Sequence, residues 1–258
     1  MRLTRCFVPS ALAADSTLVL PEGPSGHIAR VLRLRAGDAL RLFDGRGGEF
    51  EATIEAIERR GVRVRLGKHH AIEREAPIAV TLLQCLVRAE RMDFIVQKAT
   101  ELGAASIVPV QSRHTMVRLD DASLERRRQH WQAVAISACE QCGRNRIPEL
   151  HQVQTLEQAC AEQAATARAS VARLLLDPGG SLALASALRT LPAASELTLL
   201  LGPEGGLSEQ EIALAQQHGF RACHLGPRVL RAETAPLAAL AAVQALLGDF
   251  AARDASMN

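Results

Sequence analysis

Tyrosine is absent from these 258 residues, tryptophan occurs once, and aromatic residues make up only 3% of the chain. The interior must therefore be aliphatic, built from Leu, Val, Ile and Ala. With 48% hydrophobic residues, a chain of this length can bury a substantial core in one large domain or two modest ones. No apolar run approaches the roughly 18 residues that a membrane-spanning helix requires. The first residues, Met1-Arg2-Leu3-Thr4-Arg5-Cys6, lack the apolar centre of a signal peptide, so the expectation is a cytoplasmic protein with no membrane partner.

Several chemical signatures are missing too. No G-x-G-x-x-G follows a strand, which leaves a dinucleotide site without support, and no G-x-x-x-x-G-K-[ST] offers a phosphate-binding loop. Neither a G-x-S-x-G elbow nor an H-E-x-x-H pair occurs. The cysteines are Cys6, Cys85, Cys139, Cys142, Cys160 and Cys223; in a cytoplasmic chain they read as small hydrophobes. Cys139 and Cys142 form one C-x-x-C, but a structural zinc site needs a second pair and none is spaced for it, so no metal is expected.

Charge is present but uneven. Residues 1–74 hold 13 Lys and Arg against 9 Asp and Glu, whereas residues 151–258 hold 7 against 10. The basic excess lies at the front and is almost all arginine. It suits a phosphate-binding surface, although a solvated charged face accounts for it equally well.

Residues 1–68 read as mostly β. Thr17–Leu20, Asp38–Phe43, Glu49–Ile57 and Val62–Leu66 are strand candidates that alternate or are rich in β-branched residues. Asp44-Gly45 and Gly47-Gly48 mark a turn, and short strands with glycine turns suggest a small barrel over residues 1–70. His27–Arg33 reads as a short helix with Arg30 and Arg33 on one face; Arg63 and Arg65 share a face of the last strand. Lys68–Pro77 is polar and reads as a linker. From Ile78 the pattern changes to apolar strands alternating with helices: a strand over 78–87, a helix over 91–102, a strand over 106–110, and helices over 122–142 and 155–167. A strand over 172–176 and a last helix over 234–247 complete it. That alternation predicts an α/β domain over 75–250 with a mostly parallel sheet. The tail after Gly248 is expected to fray.

The chain is organised around residues 199–235. An apolar strand ends in Gly202-Pro203-Glu204-Gly205-Gly206. Ser208 and Glu211 have capping-box spacing for a helix that Gly219 stops, and a second short strand ends in Leu225-Gly226-Pro227-Arg228. With Asp177-Pro178-Gly179-Gly180, three strands end in glycine turns. Ligands of open α/β sheets sit beyond such strand ends, and glycine lets backbone groups approach a ligand closely. Arg228, Arg231 and Glu233 beside them mark a ligand site, and so few basic residues favour a small, mostly backbone-bound ligand over a nucleotide triphosphate.

These residues also carry a resemblance. Gly202–Ser208 followed by Leu225–Ala235 is similar to the SPOUT class of RNA methyltransferases. Gln97–Gly103, Cys139–Pro148, Ala29–Arg33 and Leu42–Gly45 resemble the ribosomal small subunit methyltransferase E family, and the likeness spans nearly the whole chain. It implies a PUA-like β-barrel for RNA binding, then a SPOUT-type α/β domain closed by a deep trefoil knot. It further implies a homodimer that methylates N3 of uracil 1498 in 16S ribosomal RNA of the small ribosomal subunit, with S-adenosyl-L-methionine as cofactor. The cofactor would be held by Leu176, Leu201, Gly202, Glu204, Gly205, Leu225, Gly226 and Leu230. Uracil N3 is a poor nucleophile until its proton leaves, and negative charge then spreads onto O2 and O4. The site needs a base and a cation. Arg231 is the expected cation, and Glu233 or Glu140 the base, although Glu233 could instead serve only as a helix-end charge. Arg30, Arg33, Arg63 and Arg65 would anchor RNA, with Arg144 and Arg146 as phosphate or partner-subunit candidates. The chain has Arg231-Ala232-Glu233-Thr234 where the family pattern is Arg-Thr-Glu-Thr; one hydroxyl is lost and Thr234 remains. Two alternatives are a SPOUT enzyme acting on another RNA, such as a ribose hydroxyl in tRNA, and a non-catalytic ribosome-assembly protein that keeps the fold.

Overall fold

The computed structural model describes residues 3–115, 120–165, 171–191 and 196–250. The chain forms two compact units. The first comprises Met1–Glu75 together with Ile136–Ile147, and the second Ala76–Ala135 and Pro148–Asn258. The sequence division at residues 70 and 75 does not anticipate the insertion of 136–147 into the first unit.

The first unit is a five-stranded sheet of β1 (Arg5–Phe7), β2 (Thr17–Val19), β3 (Ala39–Phe43), β4 (Glu49–Glu58) and β5 (Gly61–His70), in the order β1-β3-β4-β5-β2. All pairs are antiparallel except β1 with β3. Alternation works as the period of two requires. Leu40, Leu42, Ala52, Ile54, Val62, Val64 and Leu66 are buried in one cluster, while Arg41 pairs with Glu51, Arg63 with Glu58 and Arg65 with Glu55. Strand β5 runs to His70, three residues into the expected linker.

The helix expected over 27–33 differs. A short helix, α1 (Glu22–Gly26), leads into a π-helical turn at His27–Val31, where the Leu32 N–H donates to the His27 carbonyl at 2.9 Å. Arg33 then leaves the helical region with φ of 54°. Ile28 is fully buried, with Leu32 and Leu34 packed against the same core. The wider turn brings these aliphatics inward, so Arg30 and Arg33 do not share a helix face.

A buried polar network closes this unit. The Arg5 guanidinium pairs with Glu49, donates to the Arg144 carbonyl (2.9 Å) and Asn145 Oδ1 (2.7 Å), and lies 4.7 Å over the Phe43 ring. Asn145 Nδ2 donates to the Ile72 carbonyl, and Arg144 binds both oxygens of Glu75.

The second unit is an eight-stranded parallel sheet. Its strands are β6 (Val80–Cys85), β7 (Ser106–Gln111), β8 (Glu149–Leu150), β9 (Gln154–Thr155), β10 (Val171–Leu176), β11 (Leu182–Ala183), β12 (Glu196–Leu201) and β13 (Arg221–His224). The order is β11-β13-β10-β12-β6-β7-β8, with β9 beside β7. Its helices are α2 (Ala89–Glu101), α3 (Asp121–Cys142), whose residues from Ile136 belong to the first unit, α4 (Leu156–Ala165), α5 (Leu184–Arg189), α6 (Glu209–Gln217) and α7 (Thr234–Leu246). On one face Leu83, Val108, Leu175 and Leu200 pack with Leu156 and Ala159 of α4 and Ala215 of α6. On the other, α7 packs with α2 and α5.

Local signals hold where they were strong. Ser208 and Glu211 make the full capping box of α6. Gly219, at φ of 84°, ends that helix in a conformation other residues resist. Thr155 and Gln158 open α4 reciprocally, each side chain accepting the other's backbone N–H. The expected end of α4 at 167 and the fraying tail beyond 250 lie outside the described residues.

Candidate functional site

In a parallel sheet every strand delivers its carboxyl end to the same edge. Here Leu176 of β10 is in register with Leu201 of β12 and with Cys223 of β13. These three side chains floor a cleft of about 380 Å³, a size suited to a small-molecule ligand. Its walls are the turns that follow the same strands. Asp177-Pro178 follow β10, Gly202–Glu204 and Gly206-Leu207 follow β12, and residues 225–226 and 228–232 follow β13. Gly180 is obligatory behind this edge, since a Cβ there would meet the backbone N and C of Cys223 at 2.9 Å.

The cleft gathers most of the residues expected to hold a ligand. Leu176, Leu201, Gly202, Glu204, Leu225, Gly226 and Leu230 all line it. Gly205 does not; its Cα faces His114, which a Cβ would contact at 3.2 Å. The apolar share comes from leucines, while Arg91, Asp177, Glu204, Arg228 and Arg231 bring charge. Cys223, also in the lining, has its thiol pushed up by burial and stays protonated at neutral pH. Val229 stands 80% exposed between Arg228 and Leu230, an apolar residue left on the surface at the cleft wall.

Arg231 lines the cleft and is exposed, and no acidic group among the described residues pairs with it. Its backbone is nonetheless fixed, because the Arg231 carbonyl accepts the N–H groups of Thr234 (2.9 Å) and Ala235 (3.0 Å) at the start of α7. Glu233 sits at the N-cap of α7 without capping it, immediately beside the lining residue Ala232. Its Oε2 is buried with no hydrogen-bond partner and lies 3.7 Å from Arg91 Nη1.

Glu140 is elsewhere. It belongs to the part of α3 that joins the first unit, and its Oε1 accepts the Phe7 N–H at 2.9 Å. Arg144 is 4% exposed and committed to Glu75. Arg146 is exposed and 3.4 Å from Glu73. Arg63 and Arg65 carry their own glutamates at 2.7 and 3.5 Å. Arg30 and Arg33 are exposed with no acidic partner among the described residues.

The cysteines behave as packing groups. Burial pushes Cys6 and Cys139 up to about 12 and Cys160 to about 11. Cys139 Sγ contacts the Arg146 carbonyl at 3.5 Å, within the first unit. Among the described residues no three His, Cys, Asp or Glu side chains sit where they could hold a metal ion, and no helix is long and apolar enough to cross a membrane.

One cleft residue escaped sequence reasoning. Arg91 lies more than a hundred positions before the Gly202 and Gly226 turns and carries no local motif. The signal was indirect: α2 follows β6, which pairs in parallel with β12 up to Gln84 and Leu201, so the first turn of α2 emerges at the edge where the cleft forms.

Known proteins match this architecture. Residues 74–244 match the RNA methyltransferase domain family, and residues 25–67 match the RNA methyltransferase PUA domain family. Ribosomal RNA small subunit methyltransferase E of Bacillus subtilis is 34% identical over 219 residues, covering 84% of this chain and 85% of that protein. The Synechocystis protein of the same name is 32% identical over 94% of this chain and 78% of its own length. Among solved structures, a Legionella pneumophila protein with bound S-adenosylmethionine superposes with a TM-score of 0.89 at 37% identity, over 96% of this chain and all of that one. The Neisseria gonorrhoeae ribosomal RNA small subunit methyltransferase E, also with S-adenosylmethionine, gives 0.86 at 34% identity over the same shares.

Proposed function

The chain belongs to the ribosomal RNA small subunit methyltransferase E family, and from that premise we propose that it transfers a methyl group from S-adenosyl-L-methionine to N3 of uracil 1498 in 16S ribosomal RNA. The observation that carries the reading is the cleft itself: three glycine-bounded strand ends enclose an apolar floor, and Arg231, a cation with no acidic partner among the described residues, stands at its wall. Its leucines suit an adenine ring, and its turns bring backbone groups within reach of the ring's edge, so the residues present fit the cofactor. The return of β13 to pair with β10, with β10 lying between it and β12, supports the trefoil knot of the family.

When bound, the cofactor supplies a methyl group already activated on a sulfonium, so the protein's work is alignment and charge. Leu176, Leu201, Leu225 and Leu230 exclude water around the reacting atoms. Glu233 is the candidate base for the N3 proton, since Glu140 is engaged by the Phe7 N–H. Arg231 donates to the uracil oxygens, where charge collects as that proton leaves. N3 lies on the Watson–Crick edge, so the base enters unpaired.

Arg30 and Arg33 are the RNA anchors best supported in the first unit, because Arg63 and Arg65 already meet Glu58 and Glu55. Removing both Arg30 and Arg33 is expected to lower the salt slope of RNA binding by about 1.4, at 0.7 per phosphate contact on single strands. An Arg63→Ala, Arg65→Ala pair that lowers the slope as much would reverse this assignment. Dimerisation is supported by α7, which carries no charged side chain from Thr234 to Leu246 yet leaves Leu237, Ala238, Ala241 and Ala242 only half-buried. Sedimentation equilibrium checks this, and a monomer at micromolar concentration would dismiss it. The setting of the reaction is cytoplasmic, with the small ribosomal subunit as partner.

The decisive experiment maps methylation in small-subunit RNA from cells with and without this protein. Loss of the N3-methyl mark at uracil 1498, restored by the intact gene, is the expected result; an unchanged mark sinks the reading.

A further inference from the structure

The first turn of α2 contributes a guanidinium that none of the three glycine turns supplies. Arg91 Nη1 lies 3.1 Å from Glu204 Oε1 and 3.7 Å from Glu233 Oε2. The two carboxylates stand on different walls: Glu204 in the turn after β12, Glu233 just before α7. Glu204 Oε1 also accepts the Arg88 N–H at 3.3 Å, so the start of α2 grips that turn twice. Glu233 Oε2 is buried and makes no hydrogen bond. A desolvated carboxylate oxygen is costly unless a charge compensates it, and Arg91 is the cation at hand.

A lone ion pair on a surface contributes little to stability. This arrangement differs on two counts. All three side chains are largely sheltered, at 29%, 26% and 21% exposure, and one nitrogen lies within 4 Å of both carboxylates. Without it, the two neighbouring carboxylates repel each other, and both the Gly202–Gly206 turn and the start of α7 lose their tether. The same start of α7 carries Arg231, two residues from Glu233.

We propose that Arg91 is a positioning residue of this reaction, acting through Glu204 and Glu233. It sets the Gly202–Gly206 turn, which meets the cofactor, against the Arg231–Glu233 segment, which meets the base. The inference rests on the methyltransferase reading above and adds to it a residue that holds the two halves of the site in register.

Four full-length variants test it: Arg91→Ala, Arg91→Lys, Glu233→Gln and the Arg91→Ala, Glu233→Gln double variant. Methyl transfer to small-subunit RNA gives kcat and KM, and calorimetry gives the S-adenosylmethionine Kd. Arg91→Ala is expected to lower kcat about 10- to 100-fold, the span such couplings cover, with KM for RNA changed less than about threefold. Arg91→Lys, which keeps the charge, is expected to retain most of kcat. The double variant should fall no lower than the poorer single variant, because the two residues act as one unit. An Arg91→Ala enzyme with wild-type kcat, or losses that multiply in the double variant, overturns the proposal. If the wild type binds S-adenosylmethionine but transfers no methyl, the choice of reaction is wrong, and the tether to Glu204 is judged by calorimetry alone. Arg91→Ala should then bind S-adenosylmethionine about tenfold more weakly, and unchanged affinity overturns the inference. A wild type that binds no S-adenosylmethionine overturns both.

Discussion

Replacing Arg231 with alanine is expected to lower kcat for methyl transfer by about 10²- to 10³-fold, or roughly 3–4 kcal/mol of transition-state stabilisation, the usual loss of one preorganised donor to a developing oxyanion. S-adenosylmethionine should bind within about twofold of wild type, because the alanine backbone can still accept from Thr234 and Ala235 and hold the start of α7. The expectation does not extend to Arg91, another cation of the cleft. Arg91 is committed to Glu204 and Glu233, whereas Arg231 has no acidic partner among the described residues. Its charge is therefore available to an anion that exists only after N3 loses its proton. Such an interaction raises kcat without tightening the ground state. Single-turnover methyl transfer and calorimetry, run on the same preparation, measure both quantities. Wild-type kcat in Arg231→Ala would remove the residue from the mechanism; equal losses in kcat and cofactor affinity would make it a binding residue instead.

The second large effect belongs to stability. Arg5→Met is expected to destabilise the first unit by about 3–5 kcal/mol, because it strands Glu49 in the interior. Arg5 and Glu49 have side chains only 5% and 9% exposed, and Arg41 and Arg74, 3.8 Å from Glu49, form longer ion pairs with it without a hydrogen bond. The same substitution removes the donors to the Arg144 carbonyl and to Asn145. Urea denaturation followed by circular dichroism measures the loss. The single tryptophan, Trp131, lies in the second unit and reports that unit separately by fluorescence. The Arg5→Met, Glu49→Met pair should recover most of the stability, since an apolar pair of similar volume often equals a buried ion pair. A double variant as unstable as the single one would mean that Arg5 acts through Arg144 and Asn145 rather than through Glu49.

These two arginines mark how far the amino-acid order could be read. Arg231 was legible because its signal is local: it follows a glycine turn at a strand end, beside a helix start. The same holds for the capping box of Ser208 and Glu211 and for the strand–helix alternation after Ile78, all written within a few residues. Arg5 was not legible, and neither was the burial of Arg144. Their partners lie 44 to 140 positions away, and an arginine inside an ion network looks in sequence like an arginine facing phosphate. The two-residue strands β8, β9 and β11 also left no periodic trace, since pairing with neighbours defines them.

The stretch from Leu199 to Ala235 shows the same division at close range. Its residue order alone determined two turns and a capped helix, because glycine, capping residues and apolar alternation act on the nearest neighbours in the chain. Tertiary structure decided which charges in it are available. Parallel pairing of β6 with β12 brings α2 to the cleft and ties Arg91 to Glu204 and Glu233. Arg231 keeps its charge uncommitted because no acidic residue among those described is brought to it. The field of a charge is set by what stands within a few ångströms, and only the folded chain determines that distance.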